Sequence, residues 1–218
     1  MKGARPLLCL VTDRHASRLP LVEAVAAAIS AGVDWVQIRE KDLEGAALLA
    51  LADSIAEAAR SADPAVRVLV NRRSDVALAA ALDGVHLGFD AVPPAVARRL
   101  LGEAKLVGLA TNAPGEHGPA ALPHLSYAHL APIFAPLSKP ANRAPLGLAA
   151  LRAATRSALP VFAQGGVEAA NAGACVRAGA AGVAVTGAIL GAGDPAAAAA
   201  ALRRALDEAT RAPAAEAR

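Results

Sequence analysis

"VFAQGGVEAANAGACVRAGAAGVAV", residues 161–185, holds the pattern on which the fold reading turns. Val161–Ala163 is a short, continuous apolar run that stops at Gln164-Gly165-Gly166. Residues 168–178 then take a helical period, and a second apolar run, Gly182–Val185, stops at Thr186-Gly187. Short runs without polar alternation mark strands covered on both faces. Two such strands joined by a helix-length crossover form a parallel βαβ unit.

The same alternation extends over the rest of the chain. Further strands are expected at Leu7–Val11, Trp35–Ile38, Val66–Val70, Gly84–Leu87, Leu106–Leu109 and Leu125–His129. Helices are expected near 19–31, 43–61, 75–82, 93–101, 147–157 and 195–210, besides 168–178. The stretch TNAPGEHGPAAL, 111–122, carries enough Gly and Pro to allow only a short or broken helix. Eight βα units in 218 residues make a single-domain α/β fold, a (β/α)8 TIM barrel over residues 1–210. A doubly wound open sheet is the alternative. Residues 211–218 are expected to form a frayed tail.

Composition narrows the classes. Hydrophobic residues are 55% and charged residues 19%, which excludes a disordered polymer. Aromatics are only 2%, so helices of small residues should pack closely with few bulky anchors. No apolar run approaches the roughly 20 residues that span a bilayer. MKGARPLLCLVTD reads as a first strand rather than a signal peptide, and a cytoplasmic location is expected. Cys9 and Cys175 read as buried small hydrophobes. The net charge of +3 is mild and the arginines lack aromatic interleaving, which argues against a nucleic-acid partner. No stripe marks an oligomer interface, so a homo-oligomer stays open.

In a barrel of this kind the chemistry sits at the C-terminal ends of the strands. The glycines of AQGGV and VTGAI let the backbone approach an oxyanion at a helix N-terminus, or serve simply as tight turns. QIREKD, 37–42, places Gln37 and Arg39 on one face, with Lys41 just beyond the strand. Arg39 can grip an anion in bidentate fashion, or pair with Glu40 or Asp13 as architecture. PLSK adds Ser138 and Lys139 on a long loop. Two anion-binding regions follow, one beside strands seven and eight and one beside strands two and three. His86 reads as a satisfied core histidine, Trp35 as a packing residue, and His129 as a weak acid/base candidate.

LVTDR (10–14), VQIREKD (36–42), VLVNRRSDVALA (68–79), DGVHLG (83–88), PIF with SK (132–139), PLGL (145–148), FAQGGV (162–167) and AGAAGVAVTGAI (178–189) occur in this order. In them the chain resembles the thiamine phosphate synthase family, which includes the thiazole tautomerases. The resemblance implies a cytoplasmic transferase of thiamine biosynthesis that joins a hydroxymethylpyrimidine diphosphate to a thiazole phosphate and releases diphosphate. It implies Gln37, Arg39, Lys41, Asn71 and Lys139 at the pyrimidine diphosphate. It implies Ser138, Gly166, Thr186 and Gly187 at the thiazole phosphate.

Residues 70–75, VNRRSD, depart from that pattern. The family places a Mg2+-binding aspartate after the asparagine, where this chain has Arg72. Its second metal aspartate falls at Ala91, leaving Asp90, one residue off, as the metal candidate. Mg2+ wants about six oxygen ligands, and exchanging a carboxylate for Arg changes the local charge by two. The two arginines can instead neutralise a diphosphate directly, standing in for the metal. Ala110, Pro136 and Leu137 also replace polar residues of the family. The catalytic histidine of the tautomerases aligns with Pro132, with His129 three residues earlier. A thiazole phosphate tautomerase and a non-catalytic binder of thiazole or thiamine phosphate therefore stay open beside the synthase.

Overall fold

The computed structural model describes residues 5–135 and 143–211. Eight strands, β1 (Leu7–Val11), β2 (Trp35–Ile38), β3 (Arg67–Asn71), β4 (Gly84–Leu87), β5 (Leu106–Thr111), β6 (Tyr127–Leu130), β7 (Val161–Gln164) and β8 (Gly182–Val185), pair in order as a closed barrel. Every pairing is parallel, including β8 back to β1 through Leu8↔Val183 and Leu10↔Val185. This is the (β/α)8 barrel, and the open doubly wound sheet is excluded. Outside it lie α1 (Leu21–Ser30), α2 (Gly45–Ala62), α3 (Ser74–Ala79), α4 (Pro94–Leu101), α5 (Gly147–Ala154), α6 (Ala169–Arg177), α7 (Gly187–Leu190) and α8 (Pro195–Arg211).

Several boundaries move by a residue or two. Asn71 is the last residue of β3, and β6 starts at Tyr127 rather than Leu125. The segment after β5 contains a 3-10 helix, Pro119–His124, in keeping with its Pro and Gly content. The one-turn helix α7 between β8 and α8 is additional to the expected set. Helix α8 ends at Arg211, while 212–218 of the expected tail, like Ser138 and Lys139, lie outside the described residues.

Period-two alternation sorts the strand residues into two layers. Val36, Ile38, Val68, Val70, Val85, Leu87, Val183 and Val185 face the helices, in one large buried cluster with Ala and Leu of the helices. Cys9, Val11, Leu69, Tyr127, Phe162 and Ala184 fill the barrel interior, with Trp35 packed on them. Three of the chain's five Phe, Trp and Tyr residues therefore sit inside the barrel. Their rings interlock: Trp35 lies 5.0 Å from Tyr127 and 5.2 Å from Phe162, centroid to centroid. Glycines admit them. A Cβ on Gly108 would stand 2.1 Å from Tyr127 Cζ, and one on Gly182 would stand 2.9 Å from Phe162 Cε1. The lower barrel is thus plugged, which confines any cavity to the upper end.

A polar clasp closes the opposite end. Arg203 on α8 donates to Pro6 O at 2.8 Å, Asp34 Oδ2 at 3.0 Å and Asp207 Oδ1 at 2.6 Å, and Asp34 accepts the Leu8 N–H at 2.7 Å. Deleting one partner of a fully buried pair costs about 3–5 kcal/mol. Here Asp34 and Asp207 keep 20% and 31% side-chain exposure, so hydration recovers part of the loss. Arg203→Ala is expected to lower stability by about 2 kcal/mol in urea unfolding, read as a fall in midpoint at unchanged m.

Candidate functional site

The upper mouth of the barrel opens into a cavity of about 480 Å³. Every strand end is represented on its wall by a residue at or next to the terminus, β2 by Gln37 and Arg39. Of the residues marked by the sequence, Gln37, Arg39, Lys41, Asn71, Arg72, Asp90, His129 and Thr186 line it. His86, Phe89, Thr111, Asn112, Gln164 and Gly165 complete much of the wall.

The β1–β2 side of the rim is braced by a buried carboxylate. Glu40, 6% exposed, accepts from Thr12 Oγ1 at 2.6 Å and from the Arg14 N–H at 3.0 Å. Arg14 also makes a two-pronged contact to Asp42, 2.6 Å on each prong. Those donors, with His15, hold the Asp42 carboxyl well below the usual carboxylate range. Arg14, not Arg39, is therefore the architectural partner of Glu40. The Arg39 N–H donates to Thr12 Oγ1 at 2.9 Å, which fixes its backbone while its side chain lines the cavity.

The floor is polar but uncharged. His86 and His129 stack with ring centroids 4.3 Å apart, each projecting inward from its strand. His86 Nδ1 lies 3.1 Å from Tyr127 Oη, and His129 Nδ1 lies 3.3 Å from Gln164 Oε1. Burial is the main cause that lowers both imidazoles, taking His129 to about 4 and His86 well below its ordinary value. Both rings are consequently neutral at pH 7. Because Gln164 Oε1 can only accept, Nδ1 of His129 carries the proton and Nε2 presents a lone pair. That Nε2 and Gln37 Oε1 are buried without a hydrogen-bond partner among the described residues. Gln37 Nε2 meets Asn71 Oδ1 at 3.5 Å, a marginal contact that a ligand can displace.

Above the floor, Arg39, Lys41 and Arg72 supply positive charge. Arg72 has a left-handed backbone, φ 68°, pinned by its N–H bond to His86 O at 2.8 Å. Its guanidinium meets Asp90 Oδ2 at 2.8 Å. Arg73 turns away and pairs with Asp75. The first two charges after β3 thus have separate destinations, one in the cavity and one on the outer surface.

The glycine loops have packing reasons for their composition. Gly165 and Gly166 take φ of 87° and 63°, and Cβ atoms there would lie 2.7 Å from Pro132 Cβ and 2.3 Å from Ala135 O. Gly165 and Thr186 reach the cavity wall. Gly166 is instead wedged under the 132–135 segment, and Gly187 opens α7 beside Thr186. Sequence reading passed over Gln164 as a partner of His129. Its signal was parity: Tyr127 and His129 alternate inward on β6 as Phe162 and Gln164 do on β7.

Comparison with known proteins adds an independent line. The model of the family described as thiamine monophosphate synthase matches residues 8–189. A thiamine-phosphate synthase of Roseiflexus castenholzii is 39% identical over 202 residues, 92% of this chain and 88% of that protein. One from Chloroflexus aurantiacus is 42% identical over 198 residues, 90% of each chain. Among solved structures, a thiamine phosphate pyrophosphorylase from Pyrococcus furiosus superposes with a TM-score of 0.82 at 28% identity, covering 94% of this chain and 97% of that one.

Proposed function

The chain belongs to the thiamine monophosphate synthase family, transferases of thiamine biosynthesis, and from that premise we propose that it joins a hydroxymethylpyrimidine diphosphate to a thiazole phosphate. The observation that carries this reading is the convergence of Gln37, Arg39, Lys41, Asn71 and Arg72 on one wall of one cavity. In the reaction, the bond from the pyrimidine methylene carbon to the diphosphate oxygen breaks and its electron pair leaves with the diphosphate. The thiazole nitrogen then forms the new C–N bond to that carbon. Cations fixed around the leaving group stabilise the charge that develops on it, and a cavity sealed below by aromatic rings keeps water from the cationic carbon.

In this proposal Arg39, Lys41 and Arg72, together with Lys139, hold the diphosphate. Gln37 and Asn71 meet the pyrimidine, and Ser138, Gly166, Thr186 and Gly187 hold the thiazole phosphate. His129, neutral and uncharged at working pH, acts as a hydrogen-bond acceptor on the cavity floor. The tautomerase reading would need a local general base, and burial, which lowers the His129 ring, disfavours it in that role. Mg2+, implied by the family resemblance, meets a poor donor set: among the described residues no three His, Cys, Asp or Glu are grouped to hold a metal.

Incubation of the protein with both substrates is expected to yield thiamine phosphate and diphosphate, each detected by chromatography. Absence of product with and without Mg2+ removes the synthase reading. Tight binding of thiazole phosphate in the same preparation would then identify a non-catalytic binder.

A further inference from the structure

We propose that the Arg72–Asp90 ion pair takes the place of a divalent cation in this site, with the Arg72 guanidinium exchanging Asp90 for the diphosphate of the substrate. This rests on the synthase reading, because it assumes a diphosphate in the cavity.

The argument starts from charge. Arg39, Lys41 and Arg72 line the cavity and Asp90 is the carboxylate on the same wall, so the wall carries a net positive charge before any ion enters. Asp90 is already engaged by Arg72 at 2.8 Å. A dication bound to Asp90 would stand within a few ångströms of that guanidinium, and like charges so close are strongly unfavourable. Other acidic groups at the rim are committed elsewhere: Glu40 to Thr12 and Arg14, Asp42 to Arg14 and His15. Mg2+ usually takes one or two protein carboxylates besides substrate phosphates and waters, and the carboxylate on this wall is already held by Arg72.

A guanidinium meets the same need by different means. It is permanently charged and presents a planar fork matched to two phosphate oxygens. The pair that holds it at rest is open to solvent, with side-chain exposures of 40% and 68%, so little energy opposes the exchange. The backbone beneath it is not free to drift. Arg72 sits in a left-handed conformation tied to His86 O, which keeps its Cβ directed over the cavity while the side chain swings.

The test uses the full chain and inorganic pyrophosphate as probe. Calorimetric titration is run in a chelator and again in excess Mg2+, alongside Mn2+ titration followed by electron paramagnetic resonance. Pyrophosphate affinity is expected to agree within about threefold in the two buffers, and stoichiometric Mn2+ binding is not expected. Arg72→Gln should weaken pyrophosphate in chelator by about tenfold or more, the loss of one charge-assisted contact. Pyrophosphate bound only with Mg2+, or one tightly held Mn2+ per chain, overturns the exchange while leaving the synthase reading intact. Failure to bind in either buffer overturns both. If Arg72→Gln does not fold, the two-buffer comparison on the unaltered protein decides alone.

Discussion

Arg39→Met is expected to lower kcat/KM for the synthase reaction by about 10²- to 10³-fold, the cost of deleting one preorganised charge stabiliser at a developing anion. The expectation follows from how Arg39 is held. Its N–H is tied to Thr12 Oγ1, which is itself fixed by the buried Glu40, while the guanidinium makes no ion pair with a described residue. A charged group with no ion-pair partner among the described residues, lining a cavity beside Lys41 and Arg72, is placed to meet a ligand. Removing it should therefore leave the melting temperature within about a degree or two, since it strands no buried partner. Arg39→Lys keeps the charge but loses the two-pronged geometry, so an intermediate loss of about tenfold is expected. Because diphosphate gains charge as its bond breaks, kcat should fall more than KM rises. Steady-state kinetics on the three proteins decide it: Arg39→Met within threefold of the parent would remove Arg39 from the leaving-group site.

What could be read in the sequence, and what could not, divides along the range of the interactions. Strand positions were legible because burial on both faces writes itself locally as runs such as Leu7–Val11 and Gly182–Val185. The barrel followed from counting those runs. Arg39, Gln37 and Asn71 were legible as strand-end residues, since the C-terminal ends of parallel strands must meet at one rim. The pairing of Arg14 with Glu40 was not, because it depends on the β1–β2 register, Val11↔Gln37, which places residues 26 apart side by side. The same holds for His129 with Gln164, 35 residues apart, and for Asp34 with Arg203, 169 apart. Nor could sequence show that Gly166, whatever it does for a ligand, also packs against Phe134 and Ala135. A glycine chosen for close backbone approach looks the same whether the neighbour is a phosphate or a carbonyl.

The stacked histidines set the second large effect, on stability rather than turnover. His129 falls from an ordinary 6.5 to about 4 because burial disfavours the charged ring, with the Gln164 bond opposing in part. His86 falls further, through burial, the adjacent His129 and the nearby Arg39. Both folded-state values lie below the unfolded value, so the unfolded chain takes up protons that the folded barrel refuses. The stability they contribute is complete above pH 6.5 and is lost as pH falls toward 4. For His129 a shift of this size corresponds to about 3 kcal/mol at the acid end of that window, and His86 adds to it. Tyr127 and Cys9, which share the barrel interior, are pushed upward by burial and stay neutral throughout. Asp42 and Asp75 are held below 3.8 by their arginine partners, so their losses begin at more acid pH. Asp34, raised by burial, gains stability as pH falls and opposes the trend. Urea unfolding between pH 7 and pH 4.5 is therefore read as the difference between the unaltered protein and a histidine variant. The unaltered protein is expected to lose at least about 2 kcal/mol across the interval, and His129→Gln, which cannot titrate, should recover more than a third of that dependence. Identical profiles for the unaltered protein and His129→Gln would mean that water reaches the floor and hydrates the charged rings, and the neutral-floor account of ligand recognition would fall with it.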